Sequence, residues 1–286
     1  MSESETKPTS DFHVHGFLGV TSDANAVDFW NENSEWHELV LNLHSLAVAA
    51  FREVQVGNRD PQRILAYTLF YRLLTAYQAV ALLSARGMDV EAKVLLRMMT
   101  EAIIVLVATS KDRSFAVRFI RADEDIRRRL LKSTLEADTR PEPGLKLFVT
   151  PLQTEQMKSE LADLEKRRAD KNLVKKMEIK EIATNAGLTA LYHKHFAFFS
   201  LFSHLAPSGM RQFLVTNEKG DITHFRTGVF YDDALSNIRS AIVFVMMGLS
   251  ATNELLNLNV QRAVDGINQR METLIARIEA ASLETG

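Results

Sequence analysis

An arginine and a glutamate stand four residues apart in an otherwise apolar segment that runs from Val94 to Val107. They are Arg97 and Glu101, and the spacing places both side chains on one face of a helix. A helix that is apolar on every side is normally buried. A buried charge needs a partner, because isolating it is costly. We therefore expect an internal Arg97–Glu101 pair that serves either as a strut between helices or as the floor of a site.

A second group of polar side chains lies in an aromatic segment between Tyr192 and His204. On a helical wheel, Ser200 and His204 fall on one stripe of that segment. Together with the first pair, these residues would form an internal polar cluster that either fixes helix register or provides an acid–base or anion-binding site. The ligand-binding candidates are Arg97, Glu101, Tyr192, Ser200 and His204, and the catalytic candidates are Glu101 and His204.

These residues give little support to a metal site or a cofactor site. His193 and His204 are eleven residues apart, which is about 16 Å along a helix axis, so they cannot bind one ion together. The sequence has no Gly-x-Gly-x-x-Gly, no phosphate-binding loop, no Gly-x-Ser-x-Gly and no His-Glu-x-x-His. We therefore predict no metal and no cofactor, although a site that combines His204 with another helix stays open.

Composition narrows the class of protein further. The chain has 286 residues, a net charge of -2 and no cysteine, which excludes disulfides, zinc–thiolate sites and thiol nucleophiles. The balanced charge argues against nucleic acid as a partner. The polar first residues do not resemble a signal peptide, and the longest uncharged apolar stretches are shorter than a membrane helix requires. These features predict a soluble cytoplasmic protein without a membrane partner, which binds an unidentified small ligand or protein.

Helical periodicity and break signals indicate a mainly α fold, an antiparallel helical bundle with a charged helical arm and one small β-hairpin. A flexible N-terminal arm, 1–22, precedes a single helical domain, 23–286, with a charged helical insertion near 145–185. Asp60 before Pro61 is a typical helix start. The predicted helices span about 23–54, 61–85, 89–110, 112–136, 154–183, 188–205, 231–257 and 259–281.

Two patterns near the C-terminal end predict specific contacts. Alternating residues in 212–216 and 222–226, separated by a turn with glycine, indicate the hairpin. In the last helix, apolar residues recur at spacings of three and four, which is a seam for another helix. The seam favours packing within the chain over a homodimer contact, and it consists of Val260, Val264, Ile267, Met271, Leu274 and Ile278.

Two motifs carry a resemblance to a known family. The first runs through Leu82-Leu-Ser-Ala-Arg-Gly87, Glu91-Ala92 and Leu95-Leu-Arg97 to Glu101, and the second combines Tyr192, Ser200 and Ser203-His204-Leu-Ala-Pro-Ser208. They resemble the bacterial helical family of the domain of unknown function 5677, over roughly residues 65–210. The resemblance implies an α-helical domain and a shared role for Arg97, Glu101, Ser200 and His204. It implies no particular reaction.

Two functions from different classes follow from these residues. The leading one is a binding or interaction module with a buried Arg/Glu/His polar cluster. The alternative is a hydrolase or ribonuclease-like enzyme of a bacterial defence or stress system that uses Arg97, Glu101 and His204. The enzyme requires these groups to converge in an open cleft. No arginine in this sequence is followed by a histidine at the spacing found in helical ribonucleases. The analogy to ribonucleases therefore rests on helical architecture alone.

Overall fold

The structure, a computed structural model, describes residues 10–55, 59–138, 150–169, 177–204 and 206–284. It is mainly α-helical with one small antiparallel sheet, which confirms the predicted fold class. The helices of the first half are α1 Ser10–His15, α2 Val20–Glu32, α3 Ser34–Arg52, α4 Pro61–Ala85, α5 Asp89–Lys111 and α6 Arg113–Asp138. The later elements are α7 Pro151–Ala169, α8 Ile179–Asn185, α9 Thr189–Leu191, a π-helical turn Tyr192–Phe196, α10 Ala197–Ser203, α11 Pro207–Met210, β1 Leu214–Thr216, β2 Ile222–Phe225, α12 Ala234–Leu256 and α13 Gln261–Glu284.

The core lies where α4, α5 and α12 pack against one another. By length and composition α12 is apolar enough to cross a membrane, but 56% of its most apolar window is buried in the fold. Its buried side chains include Ile238, Phe244 and Leu249. Packing against two neighbouring helices buries these side chains of α12 away from water. This explains why α12 is apolar on several of its sides.

The N-terminal region differs from the prediction of one helix over 23–54. The chain forms α2 and α3, which meet at Asn33, where the backbone leaves helical geometry. The Asn33 side-chain amide donates to the Phe29 carbonyl at 2.8 Å, and this carbonyl also accepts the Asn33 backbone N–H at 3.0 Å. The first of these helices begins at Val20, three residues before the predicted start at 23.

Residues 10–22 of the predicted flexible arm are largely helical. The hydroxyl and the backbone N–H of Thr21 both donate to the Asp11 carboxylate, at 2.9 and 3.2 Å. Residues 1–9 of the arm lie outside the described residues.

The helix α4 begins where the sequence predicts a helix start. Asp60 accepts the backbone N–H groups of Gln62 and Arg63, and Pro61 occupies the first turn. This satisfies two of the donors that a helix start leaves unpaired. The predicted cap is therefore confirmed, and α4 ends at the predicted residue.

A buried carboxylate ties the start of α5 to the start of α12. Asp89 is 2% exposed and accepts the backbone N–H of Asp233 at 2.9 Å and the Asn237 amide at 3.2 Å. Lys93 donates to the Asp233 carboxylate at 2.6 Å from a side chain that is 5% exposed. The arrangement positions α5, which carries Arg97 and Glu101, against the core.

The charged arm packs against α6 through ion pairs. Arg128 pairs with Glu165 at 2.8 Å and with Asp125 at 3.1 Å, while Glu124 pairs with Arg167 at 2.6 Å. The pairs with Glu165 and Arg167 join α6 to α7. Residues 145–149 and 170–176 of the predicted insertion lie outside the described residues.

The apolar seam of the C-terminal helix packs against other helices of the same chain. Five of its six seam residues are between 4% and 8% exposed, and only Ile278, at 44%, is exposed. The helix packs on α3 and α12. A homodimer through this helix remains a prediction.

The predicted hairpin is confirmed, with Leu214 opposite Phe225 and Val215 opposite His224.

Candidate functional site

A cavity of about 530 Å³ lies between α5, α6, the segment that leads into α8, and the π-helical turn. Its apolar wall includes Leu65, Val105 and Ile182, and Phe119 and Tyr192 add aromatic rings. Arg97 and Glu101 border it from α5. The size and the mainly apolar lining with a few polar groups are those of a small-molecule site.

Arg97 is held on two sides in the cavity wall. Its Nη1 donates to Glu101 Oε2 at 2.8 Å, and its guanidinium lies 4.5 Å from the centroid of the Phe196 ring. Its Nε is buried and has no hydrogen-bond partner within the described part of the chain. The contacts with Glu101 and Phe196 fix the direction of the guanidinium group.

The Arg97–Glu101 pair is less buried than the sequence predicts. The two side chains are 23% and 46% exposed. The apolar residues around them are covered by neighbouring helices, but the face that carries the two charges opens into the cavity. The prediction of a buried pair is therefore wrong, and the pair forms part of a cavity wall.

The π-helical turn places Tyr192 and Phe196 beside this pair. Their rings stack at 5.0 Å between centroids, and both line the cavity. Relative to an uninterrupted α-helix, the extra residue of such a turn rotates everything after it by about 100°. A helical wheel therefore does not relate the residues before this turn to Ser200 and His204 after it. The sequence carries no signal of the turn.

Ser200 and His204 do not line the cavity. Ser200 donates to the Phe196 carbonyl at 2.6 Å, and His204 is exposed at the end of α10. The contact of Lys93 with Phe202, beside that of Arg97 with Phe196, shows that α10 runs antiparallel to α5.

The antiparallel direction separates His204 from Glu101. Measured along the helix axis, His204 lies about 12 Å from Phe196 in the direction of the start of α5. Glu101 lies in the opposite direction, one turn beyond Arg97 towards the end of α5. The structure thus brings Arg97, Glu101 and Tyr192 together and leaves Ser200 and His204 elsewhere.

Two further carboxylates, which no sequence pattern indicates, belong to the site. Asp123 on α6 and Glu178 before α8 line the cavity and are exposed. Among the described lining residues there are one guanidinium and three carboxylates, counting Glu101, which leaves an excess of two negative charges. No local pattern marks Asp123 or Glu178, because each joins the site only when α6 and α8 pack on α5.

His195 faces the core and not the cavity. Its ring meets the Phe244 ring edge-on at 5.6 Å, and burial lowers its pKa from the ordinary value, assisted by the charge of Lys194. The described residues contain no group of three or more His, Asp or Glu side chains placed to hold a metal ion.

A comparison with family models places the cavity within a known family. Residues 63–221 match the family of unknown function DUF5677, and this span is more than half of the chain. Every residue that lines the cavity falls inside it. No curated protein and no solved structure matches the chain. The match confirms the resemblance carried by the two motifs, and the chain belongs to the family of unknown function DUF5677.

Proposed function

We propose that this protein is a binding module that holds a small amphipathic molecule in the cavity beside Arg97 and Glu101. The observation that carries the proposal is the cavity itself, whose volume of about 530 Å³ suits a small organic molecule. The apolar wall would receive the body of the ligand, and burial of that body from water would supply most of the affinity.

Arg97 supports the proposal through its place in the cavity wall. Its side chain is 23% exposed, although its Nε is buried. The accessible part of the side chain can therefore contact a ligand.

The enzyme alternative has no comparable support. General acid–base chemistry needs an acid and a base within reach of one substrate. Glu101 lines the cavity, but His204 lies at the far end of α10. We therefore restrict the proposal to binding.

Titration calorimetry with naphthylethanol, a neutral amphipathic probe, tests the proposal. We expect a Kd of about 1 mM or tighter for a probe of this size. Ala122 is 4% exposed and lines the cavity from α6, so the ring of an Ala122→Phe variant would fill part of the space. Binding should weaken about tenfold or more in that variant, as expected when a ring removes a large apolar contact.

Ala263→Phe is the matched control, because Ala263 is exposed on α13 and lies outside the cavity. It should bind naphthylethanol as the unchanged protein does. Should Ala122→Phe fail to fold, chemical-shift mapping on the unchanged protein replaces it, with shifts expected at Val105, Tyr192 and Phe196. Absence of binding, equal binding by Ala122→Phe, or shifts confined to another surface would overturn the proposal.

A further inference from the structure

We infer that the cavity selects an organic cation with an apolar body over the matching neutral or anionic molecule. The inference rests on the proposed function, because it names the chemical class of the ligand of the same site. Its evidence is the distribution of charge around the cavity, which is separate from the volume that supports binding.

Arg97 is the one cation among the described lining residues, and Glu101 already balances its charge. Its Nη1 donates to Glu101 at 2.8 Å, and its guanidinium lies 4.5 Å from the centroid of the Phe196 ring. Its Nε is buried. An incoming anion would therefore meet a guanidinium whose charge is already paired, and it would have to desolvate its own charge to bind there.

Two carboxylates are the only charges without an ion-pair partner among the lining residues that the structure describes. Asp123 and Glu178 line the cavity from different elements, and neither has an ion-pair partner among the residues that the structure describes. They would attract a ligand cation and repel a ligand anion from two directions. Since both carboxylates are exposed, each interaction is weak in water and becomes weaker with added salt.

The aromatic part of the lining fits the same class of ligand. Tyr192 stacks on Phe196 with one face and belongs to the cavity wall. The face of an aromatic ring attracts ammonium groups. An apolar body against Leu65, Val105 and Ile182, with an ammonium group towards Asp123 and Glu178, would use both parts of the lining at once.

Three probes with the same ring and matched chain length separate charge from shape: naphthylethylamine, naphthylethanol and naphthylacetate. At low salt, we expect the amine to bind about tenfold more tightly than the acid, with the alcohol between them, as two exposed charge pairs would provide. The preference should shrink in high salt.

The double variant Asp123→Asn/Glu178→Gln removes both charges with little change of shape. Its amine-to-acid preference should fall at least about threefold, towards equal affinity. Glu53→Gln/Glu218→Gln is the control, because it removes the same net charge from two exposed positions outside the cavity. The control should keep the preference of the unchanged protein.

The outcomes distinguish the two claims. If naphthylacetate binds as tightly as the amine, or if the preference survives in Asp123→Asn/Glu178→Gln, the inference is overturned. Binding of naphthylethanol that Ala122→Phe weakens would then still support the proposed function. If none of the three probes binds, the proposed function and the inference fail together.

Discussion

Asp89 accepts the backbone N–H of Asp233 at 2.9 Å, although 144 residues separate them along the chain. A side chain at the start of α5 thus satisfies a donor at the start of α12, where the first turn has no helical acceptor for it. The second oxygen of Asp89 accepts the Asn237 amide. The helix that carries Arg97 and Glu101 is therefore anchored to the core at its first residue.

Replacement of Asp89 by alanine should lower the free energy of unfolding by about 2–4 kcal/mol, because it leaves buried donors of Asp233 and Asn237 without an acceptor. Urea denaturation measures the change. Asp163→Ala, at an exposed position on α7, is the control and should change stability by less than about 0.5 kcal/mol. Similar losses in the two variants would contradict the anchoring role of Asp89.

Burial raises the pKa of Asp89 to about 6 from an ordinary value of 3.8, against the lowering effects of the Asp233 N–H and the Lys93 charge, with Asp232 and Asp233 adding to the rise. The folded state then binds the proton more readily than the unfolded state. This contribution to stability is complete below pH 3.8 and is lost as the pH rises through about 6.

The test of that pH dependence compares the unchanged protein with Asp89→Asn. Between about pH 4 and 6, the stability of the unchanged protein should fall relative to the variant, by at most about 3 kcal/mol. Urea denaturation at several pH values gives the difference. A difference that stays constant or grows with pH would show that Asp89 does not titrate in this way.

Arg128→Ala should loosen the contact between α6 and α7. Arg128 is 6% exposed and bonds both Asp125 and Glu165, so its loss leaves two carboxylates together and should cost about 1–3 kcal/mol. Hydrogen exchange should accelerate across Pro151–Ala169. The neighbouring Arg129→Ala, at a side chain 56% exposed, is the control. Equal hydrogen-exchange rates in the two variants would show that residues other than Arg128 hold α6 and α7 together.

Gly87→Ala should destabilise the protein by about 2 kcal/mol or more, since a side chain would meet both backbone strain and a steric clash. Gly87 has a φ of +73°, and an added Cβ would lie 2.7 Å from Val229 Cβ and 2.9 Å from the Phe230 nitrogen. Thermal denaturation detects the loss.

A helical glycine provides the matched comparison. An added Cβ at Gly266 in α13 meets nothing within 4 Å. Gly266→Ala should therefore stabilise the protein by roughly 0.5–1 kcal/mol, through helix propensity. If Gly87→Ala were as stable as Gly266→Ala, the close approach at Gly87 would not constrain the fold.

Deletion of Lys194 should convert the π-helical turn into ordinary α-helix and rotate Tyr192 relative to Phe196. Naphthylethanol binding should then weaken by about 1 kcal/mol, roughly fivefold, through loss of one aromatic contact. Lys194→Ala keeps the turn and, because the side chain is exposed, should bind normally. Unchanged affinity in a folded deletion variant would remove the turn from the site.

Features with a local cause were predictable from the sequence. Asp60 and Pro61 mark a helix start by their own bonding and ring geometry, and α5 was expected over 89–110 and spans Asp89–Lys111. The hairpin follows from alternation and a turn that contains glycine. The break at Asn33 was missed because the residues on both of its sides form helix, so the helical pattern continues across it.

The candidate site was only partly predictable. The four-residue spacing of Arg97 and Glu101 and the resemblance to DUF5677 were sufficient to select that pair. Their degree of exposure was not predictable, because an apolar helix does not show which of its faces a neighbour leaves uncovered. Asp123 and Glu178 were missed for the same reason, as each reaches the cavity through packing.

The sequence by itself determined a helical protein of this family, the Arg97–Glu101 pair and most helix limits, because spacing, capping residues and glycines act within a few residues. Only the tertiary structure decided that the pair lines a cavity with Tyr192, while Ser200 and His204 lie elsewhere. The physical reason is that one π-helical turn and the direction of α10 along α5 set which side chains meet, and neither property is encoded in a local pattern.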